Sequence, residues 1–279
     1  YLAGALALGI GLGSFAAGHL SGKKIEYGLI PLGSIGITVF AGLMFRPDIS
    51  FLEVAINLAM LGFFSGFFIV PINALLQHRP AKEDKGGVLA AANLLSFVGV
   101  AIAAGAFYIF TAVARFTPPT IFLISSLGTL AATAYVVILL PDSLLRLLLW
   151  LFTHSVYRIR VDGRDNIPDK GGALFVSNHL SLIDALLLLA STDRFVRFII
   201  FKGIYDMPIV KPFAKVIKAI PISSQLRPRE MIRALNEASD AIKEGDVVCI
   251  FAEGQITRIG QLLPFRRGLT RIMKDVDAP

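Results

Sequence analysis

The first half of the sequence contains five apolar stretches, each close to or above the length that crosses a lipid bilayer as a helix. They occupy residues 1–19, 27–46, 51–76, 87–113 and 119–140. A helix needs about 20 apolar residues to span the hydrocarbon core. Five such stretches in so short a segment leave too little polar surface for the buried helices of a large water-soluble protein. The sequence therefore predicts a bundle of five transmembrane helices over residues 1–140.

The charged residues are concentrated in the second half of the chain. Residues 1–140 hold 7 of the 27 Lys and Arg and 5 of the 20 Asp and Glu in the 279-residue sequence, whose formal net charge is +7. This division predicts a membrane domain followed by a separate domain over residues 158–279. A moderately basic domain beside a membrane favours anionic lipids or phosphorylated substrates. No basic and aromatic pattern typical of nucleic-acid binding occurs, so nucleic acid is not an expected partner.

The basic residues also predict which loops are cytoplasmic. They cluster after the first and third apolar stretches: Lys23, Lys24, Arg79, Lys82 and Lys85. Because cytoplasmic loops are enriched in Lys and Arg, these loops and the domain after the fifth stretch are predicted to be cytoplasmic. Residues 141–157 are predicted to link the domains as an amphipathic helix at the membrane interface, with Trp150 and Arg146 as interfacial residues. The alternative is a helix that packs on the second domain.

The second domain has an alternating pattern of short apolar runs and amphipathic runs. The strand-like runs are 173–177, 195–201, 219–223 and 246–252, and the helix-like runs are 181–191, 205–217, 228–244 and 265–275. Such alternation predicts an α/β layered fold. Cys249 lies in the last predicted strand and is expected to be a core residue; as the single cysteine it excludes an intrachain disulfide.

A histidine and an aspartate follow the first predicted strand of this domain. His179 and Asp184 lie five positions apart at a strand-to-helix turn. Ser181 and Asp184 have the spacing of a helix capping box, in which Asp184 only starts the helix. In the other interpretation Asp184 accepts a hydrogen bond from one ring nitrogen of His179, and the second nitrogen takes a proton from a substrate hydroxyl. The spacing alone leaves both interpretations open.

A second polar segment, residues 251–260, follows the last predicted strand. Open α/β sheets bind ligands beyond the carboxyl ends of their strands. Arg258 can bind a phosphate through two parallel hydrogen bonds. Glu253 can pair with Arg258, accept from a backbone amide or contact a substrate hydroxyl. A Glu-Gly turn after a strand is common, so this segment alone is a weak signal.

Together, the two segments resemble the glycerolipid acyltransferase superfamily, which includes 1-acylglycerol-3-phosphate acyltransferases. The shared pattern is Asn178-His179 with Asp184 after one strand, and Glu253-Gly254 after a later strand about seventy residues on. The resemblance implies an α/β acyltransferase domain in which His179 and Asp184 are catalytic. It also implies a substrate-binding set, which is Glu253, Gly254, Thr257, Arg258 and Arg227.

This sequence departs from the family pattern at one place. Gln255 and Ile256 separate Gly254 from Thr257 and Arg258, whereas many members have Thr-Arg directly after the glycine. The role of Arg258 is therefore less firmly implied than those of Glu253 and Gly254. Arg227, in the block between the motifs, is the candidate ligand of the substrate phosphate, and Lys202 is a further one. For both, a solvated surface charge is the alternative.

The membrane domain has a second resemblance. Residues 18–24, Gly-His-Leu-Ser-Gly-Lys-Lys, resemble the short cytoplasmic loop of major facilitator superfamily transporters. A partial facilitator half that precedes an acyltransferase domain resembles the bacterial lysophospholipid transporters fused to 2-acylglycerophosphoethanolamine acyltransferase/acyl-acyl carrier protein synthetase. This resemblance implies a multi-pass protein of the bacterial inner membrane with a cytoplasmic acyltransferase domain.

The implied activity is transfer of a fatty acyl group from acyl-acyl carrier protein or acyl-CoA to a lysophospholipid hydroxyl. His179 is the expected general base, and lysophospholipid, acyl carrier protein and membrane lipids are the expected partners. No bound cofactor is expected, and one His with one Asp makes a poor metal site. Lys211, Lys215 and Lys218 are candidates for contact with an acidic carrier protein, or else form a solvated helix face.

Two other functions are consistent with the residues. One is a facilitator-type lysophospholipid transporter or flippase that carries an accessory acyltransferase-like domain. The other is a membrane-bound lipid-binding module without turnover.

Overall fold

The chain forms two units in a computed structural model that describes residues 1–22, 24–46, 48–192, 194–223, 228–257 and 261–279. The first unit is Tyr1–Leu147 and the second is Leu148–Pro279. The sequence places the domain boundaries at residues 140 and 157, and those boundaries stay a prediction.

The first unit consists of helices, and the sixth helix continues into the second unit. The helices are α1 (Leu2–Ser21), α2 (Leu29–Leu43), α3 (Phe51–His78), α4 (Lys85–Tyr108), α5 (Pro118–Leu139) and α6 (Pro141–Val156). A π-helical segment, Ile109–Val113, extends α4. In the described part of the chain, four helices are long and apolar enough to cross a membrane: α1, α3, extended α4 and α5.

The second apolar stretch forms a helix that is shorter than predicted. Helix α2 has 15 residues and is about 22 Å long, below the roughly 30 Å of a hydrocarbon core. Turns border both ends of the helix, since Leu29 N donates to Glu26 O at 3.2 Å and Phe45 N donates to Gly42 O at 3.1 Å. The described chain therefore has four membrane-length helices instead of the predicted five.

Glycines allow α1 and α3 to pack with their backbones in contact. Gly9 and Gly13 of α1 lie against α3, and Gly62 and Gly66 of α3 lie against α1. A Cβ atom at any of these four positions would collide with the backbone of the facing helix. In lipid, small residues at a helix interface permit the close van der Waals packing that holds helices together.

Hydroxyl groups join α2 to α5. Thr38 Oγ1 lies 2.9 Å from Thr133 Oγ1, Ser126 Oγ donates to Thr38 O at 3.0 Å, and Thr133 Oγ1 donates to Ser34 O at 3.0 Å. All four side chains are buried. Interhelical hydrogen bonds of this kind stabilise helix pairs where water is absent.

Helix α6 has one packed face and one exposed apolar face. Leu149 packs against the core of the second unit, whereas Leu148, Phe152 and Val156 are exposed. These three residues are four positions apart and therefore lie on one side of the helix. The sequence leaves two alternatives for this helix, packing on the second domain or exposure at a membrane interface, and the helix has one face suited to each. Its position at a membrane interface stays a prediction.

The second unit contains a four-stranded parallel sheet, which confirms the predicted α/β class. Its strands are β1 (Ala173–Ser177), β2 (Val196–Phe201), β3 (Ile220–Ile222) and β4 (Val247–Phe251), in the order β1-β4-β2-β3. Its helices are α7 (Asp184–Ser191), α8 (Lys202–Tyr205), α9 (Val210–Val216), α10 (Pro228–Lys243) and α11 (Gly268–Ile272), with a 3₁₀ turn at Arg164–Asn166.

Helices cover both faces of this sheet, as the apolar strands require. Val248 of β4 joins a core cluster with residues of α10 and α11. Its neighbours Val247 and Cys249 join a second cluster with Leu189 of α7, because successive side chains of a strand point to opposite faces. Cys249 is completely buried, as predicted, and burial raises the pKa of its thiol to about 12.

The sheet register brings the two polar segments together. Strands β1 and β4 are neighbours, and Ser177 at the end of β1 pairs with Phe251 at the end of β4. Because the strands are parallel, the segments that follow them leave from one edge of the sheet. We call this the carboxyl edge. It is formed by the described residues of the segments 177–184, 201–217 and 252–267, which begin at or directly after the last residues of β1, β2 and β4.

Candidate active site

His179 and Asp184 form a hydrogen-bonded pair at the carboxyl edge. His179 Nδ1 lies 2.9 Å from Asp184 Oδ2, and the two side chains are 17% and 18% exposed. The imidazole stacks on the ring of Phe251, the last residue of β4, with a centroid distance of 4.0 Å and an interplanar angle of 16°. Both contacts hold the ring in one orientation while part of it remains open to solvent.

The carboxylate of Asp184 also organises the loop between β1 and α7. Its Oδ2 accepts hydrogen bonds from Leu180 N at 2.7 Å and Ser181 N at 2.8 Å. The Ser181 hydroxyl accepts from Ile183 N at 3.3 Å, so only the aspartate half of the capping box forms. The two interpretations of Asp184 are therefore not exclusive, because one oxygen serves both the loop and the imidazole.

The charge state of Asp184 determines the tautomer of His179. Burial raises the pKa of the Asp184 carboxyl, but the hydrogen bonds from Ser181 N, the His179 ring and Leu180 N outweigh it, so the pKa lies below its ordinary value. An ionised carboxylate only accepts hydrogen bonds, so His179 Nδ1 donates. The lone pair of a neutral imidazole is then on Nε2, which can accept a proton from a bound hydroxyl.

The buried side chain of Glu253 connects the segment after β1 to the segment after β4. Its side chain is in the core, with a residue exposure of 2%. Oε1 accepts from His179 N at 3.1 Å and Oε2 accepts from Leu263 N at 3.1 Å. Glu253 therefore holds the backbone of the catalytic histidine candidate and the distal part of the 252–267 segment; its predicted contact with substrate stays a prediction.

Thr257 adds a second connection between the same segments. Thr257 N donates to His179 O at 2.8 Å, and its hydroxyl donates to Gln261 O at 2.8 Å. The side chain is buried. The backbone of His179 is thus held through its N–H by Glu253 and through its carbonyl by Thr257, and the predicted role of Thr257 in substrate binding stays a prediction.

Arg266 lies over Gly254 at the surface of the site, and the sequence interpretation missed it. Arg266 Nε donates to Glu253 O at 3.3 Å, and Arg266 N donates to Ala252 O at 2.9 Å. Gly254 has φ of +67°, and a Cβ there would lie 2.6 Å from Arg266 Nε. Glycine thus permits both the left-handed turn and the arginine above it. In the sequence, the only indication of this residue is the pair Arg266-Arg267 between Pro264 and Gly268, a pattern typical of a turn.

Several other predicted residues lie elsewhere or have other partners. Arg227 and Arg258 fall outside the described residues. Lys202 Nζ is 3.2 Å from Asp206 Oδ2 and Lys211 Nζ is 3.6 Å from Asp206 Oδ1. The Lys202 hydrogen bond is the main reason that the pKa of Asp206 is lowered. These two lysines therefore have a carboxylate partner within their own segment.

The described residues contain no cluster of three or more His, Cys, Asp or Glu side chains that could hold a metal ion. Ser177 Oγ donates to Asn178 O at 3.0 Å, and the Ser181 hydroxyl accepts from Ile183 N, so these hydroxyls serve local turns.

Residues 158–279, within the second unit, are similar to known acyltransferases. Residues 158–279 match the model of a family described as Acyltransferase. A chloroplastic 1-acyl-sn-glycerol-3-phosphate acyltransferase of Arabidopsis thaliana is 30% identical over 116 residues, which are 41% of this chain and 32% of that protein. The corresponding chloroplastic enzyme of Brassica napus is 28% identical over 127 residues, 45% of this chain and 36% of that protein.

A different kind of protein is also similar to part of the chain. The lysophospholipid transporter LplT of Klebsiella pneumoniae is 42% identical over 96 residues, which are 34% of this chain and 23% of the transporter. The chain thus spans about a third of the plant enzymes and about a quarter of the transporter. No solved structure matches. The chain therefore contains membrane-length helices and, in residues 158–279, a domain with the sequence pattern of the Acyltransferase family.

Proposed function

We propose that the chain is part of a membrane-bound O-acyltransferase that moves a fatty acyl group from a thioester to the hydroxyl of a lysophospholipid. The observation that carries this proposal is the 2.9 Å pair of His179 Nδ1 and Asp184 Oδ2 at the carboxyl edge. The match of residues 158–279 to the Acyltransferase family supports the same reaction class.

His179 acts as the general base in this reaction. Its Nε2 takes the proton of the lysophospholipid hydroxyl as the hydroxyl oxygen attacks the thioester carbonyl. Asp184 stabilises the imidazolium that results. When the tetrahedral intermediate collapses, the carbon–sulfur bond breaks and the imidazolium returns the proton to the leaving thiolate. The lipid hydroxyl is itself the nucleophile, so no acyl-enzyme is required.

Arg266 is the described residue best placed to hold the phosphate of the acceptor. It is exposed, and its Nε is anchored on the carbonyl of Glu253, whose carboxylate holds the His179 backbone. No ion pair between its guanidinium and a carboxylate occurs among the described residues. A planar guanidinium binds phosphate oxygens through parallel hydrogen bonds. Arg227 and Arg258 stay predicted phosphate ligands.

The donor and the location follow from the family resemblance and stay proposals. The donor is acyl-acyl carrier protein or acyl-CoA, and the reaction serves phospholipid synthesis or remodelling. The protein is proposed to lie in a bacterial inner membrane, with the acyltransferase domain in the cytoplasm. The four membrane-length helices and the similarity to a lysophospholipid transporter support a membrane location.

Product formation by the unaltered protein tests the reaction class. Membranes that contain the full-length protein are mixed with labelled acyl-acyl carrier protein or acyl-CoA. The acceptors are lysophosphatidate and lysophosphatidylethanolamine. We expect labelled diacyl phospholipid with at least one pairing, above the level of membranes without the protein. Hydrolysis of the donor without labelled phospholipid would contradict acyl transfer to a lipid hydroxyl.

Transport of lysophospholipid is the second candidate function. The specific observation in its favour is the 42% identity to LplT over 96 residues, together with four membrane-length helices. The His179→Ala variant distinguishes the two functions. If the protein transports lysophospholipid independently of acyl transfer, vesicles that contain this variant take up as much lysophospholipid as vesicles that contain the wild type. An uptake that falls in proportion to acyl transfer would contradict independent transport.

A further inference from the structure

The segments of the carboxyl edge, which include the His179–Asp184 pair, carry many exposed apolar side chains. Eight of the twelve exposed large apolar side chains in residues 158–279, within the part described, lie in its three segments. They are Leu180, Leu182, Phe201, Met207, Ile209, Phe213, Leu262 and Phe265. We call these eight residues the apolar rim. Three of them, Leu182, Ile209 and Leu262, are 67%, 80% and 65% exposed.

The position of the rim distinguishes it from scattered surface residues. Single exposed apolar residues are normal on any protein. Of the other four, Val161 precedes β1, Val176 lies inside β1, and Met231 and Ile232 lie on α10. The rim residues lie at the end of β2 or in the segments that follow β1, β2 and β4, and these three parallel strands end at the same edge. Large exposed apolar patches on a soluble surface mark contact with a protein or a membrane.

Basic residues accompany the rim. The described residues of the three segments contain five Lys and Arg and three Asp and Glu. Of the three acidic residues, Asp184 accepts from the His179 ring, Glu253 is buried, and Asp206 is paired with Lys202 and Lys211. The exposed surface therefore combines apolar side chains with excess positive charge. That combination fits the interface of a bilayer that contains anionic lipids.

We infer that the apolar rim docks into the surface of a phospholipid bilayer, so that the His179–Asp184 pair faces the lipid headgroups. A bilayer is the occupant that the chain favours, because the rim is basic as well as apolar, and four helices of the same chain are long and apolar enough to keep it at a membrane.

This docking deepens the proposed function and rests on it for its consequence. Under that function the acceptor is a lipid whose acyl chain is most stable inside the bilayer. A rim that enters the interface lets the acceptor hydroxyl reach His179 Nε2 without removal of the acyl chain from lipid. Arg266 and Arg267 would then lie at the depth of the phosphates.

Docking can be measured without turnover by spin labels on the full chain in vesicles of phosphatidylethanolamine and phosphatidylglycerol. The single native cysteine, Cys249, is completely buried, so it does not compete for the label. Labels are placed at Leu182→Cys, Ile209→Cys and Leu262→Cys. Matched controls are Met231→Cys and Ile232→Cys, which lie on α10 and are also exposed. Accessibility is compared between oxygen, which concentrates in lipid, and a water-soluble nickel chelate.

We expect the rim labels to favour oxygen and the α10 labels to favour the nickel chelate. Equal preference for the nickel chelate at rim and α10 sites would overturn the inference. Shielding of the rim labels from both reagents would also overturn it, because a protein surface would then cover the rim.

A second measurement links docking to the reaction. In the double variant Leu182→Asp and Ile209→Asp, acyl transfer to lysophospholipid in bilayers should fall at least tenfold. Transfer to a short-chain, water-soluble lysophospholipid should persist, and Met231→Asp should change neither rate. Equal loss with both acceptors would contradict a docking role. If the unaltered protein transfers to neither acceptor, the proposed function fails, and the spin labels alone decide the docking.

Discussion

The Asp184 carboxylate gives the protein a dependence on pH that can be assigned to a single group. Because its pKa is lower in the folded protein than in the unfolded chain, it stabilises the fold above its unfolded pKa of about 4. That stabilisation is lost as the pH falls through the lowered, folded pKa. Asp184→Asn keeps one acceptor oxygen but has no charge.

We therefore expect wild type to be more resistant to thermal unfolding than Asp184→Asn at neutral pH, with a gap that narrows below about pH 4. The pKa of Asp206 is also lowered, chiefly by its hydrogen bond with Lys202, but Asp206 is present in both proteins, so the comparison isolates Asp184. A gap that stays constant down to the acid limit would contradict the assignment.

Glu253 is a positioning residue in this structure, and its removal should affect stability before chemistry. In Glu253→Gln, an NH₂ group replaces one of the two carboxylate oxygens. Either His179 N or Leu263 N then loses its hydrogen-bond acceptor. A buried donor without a partner costs about 1–3 kcal/mol, so we expect a loss of that size in the free energy of unfolding. Glu237→Gln is the control, since Glu237 is half exposed on α10. Equal stability of the two variants would contradict this role.

At the scale of an element, the segment after β4 should determine how the acceptor is bound. We expect Arg266→Ala to raise KM for phosphate-bearing lysolipids at least tenfold while kcat changes little, since the guanidinium would bind the phosphate in both ground and transition states. Arg267→Ala is the matched control, because the two residues are adjacent and both exposed. An equal rise in KM for both variants would indicate a general charge effect and contradict a specific contact.

The pair of α1 and α3 depends on glycine at its contact face. Gly13→Leu would force the helix backbones apart, whereas Gly11→Leu meets open space, because nothing lies within 4 Å of a Cβ there. We expect Gly13→Leu to lower the thermal stability of the detergent-solubilised protein markedly and Gly11→Leu to leave it nearly unchanged. The opposite order of stability would show that α1 and α3 pack through another face.

Elements could be predicted from the sequence where the apolar pattern alone decides them. The four strands of the sheet are within one residue of prediction at each end. The predicted helix 205–217 shortens to α9, Val210–Val216, and only its first residue, Tyr205, is helical before that, as the end of α8. Pro208 lies in the gap, because the residue before a proline avoids the α conformation and proline lacks an N–H. The predicted helix 265–275 shortens to α11, since Arg266 N donates to Ala252 O instead of entering a helix.

At the scale of the whole molecule, the order of the strands in the sheet is the feature that the apolar pattern of the sequence could not predict. Strand β4 lies between β1 and β2, and this position places Glu253 beside His179, 74 residues earlier in the sequence. Local spacing predicts strands and turns, but long-range pairing depends on the packing of all helices and strands. For the same reason, the family resemblance predicts Glu253 and Thr257 as site residues, whereas their contacts with the His179 backbone and the position of Arg266 follow only from the folded structure.

The claim that His179 is the general base of an acyltransferase has a direct test in the full-length protein. Acyl transfer from labelled acyl-acyl carrier protein to lysophosphatidylethanolamine is measured in membranes that contain wild type or His179→Ala, with lysolipid binding measured in parallel. We predict a loss of about a hundredfold or more in the transfer rate, with lysolipid binding retained. An unchanged transfer rate in His179→Ala would contradict the account, because the chemistry would then not pass through this residue.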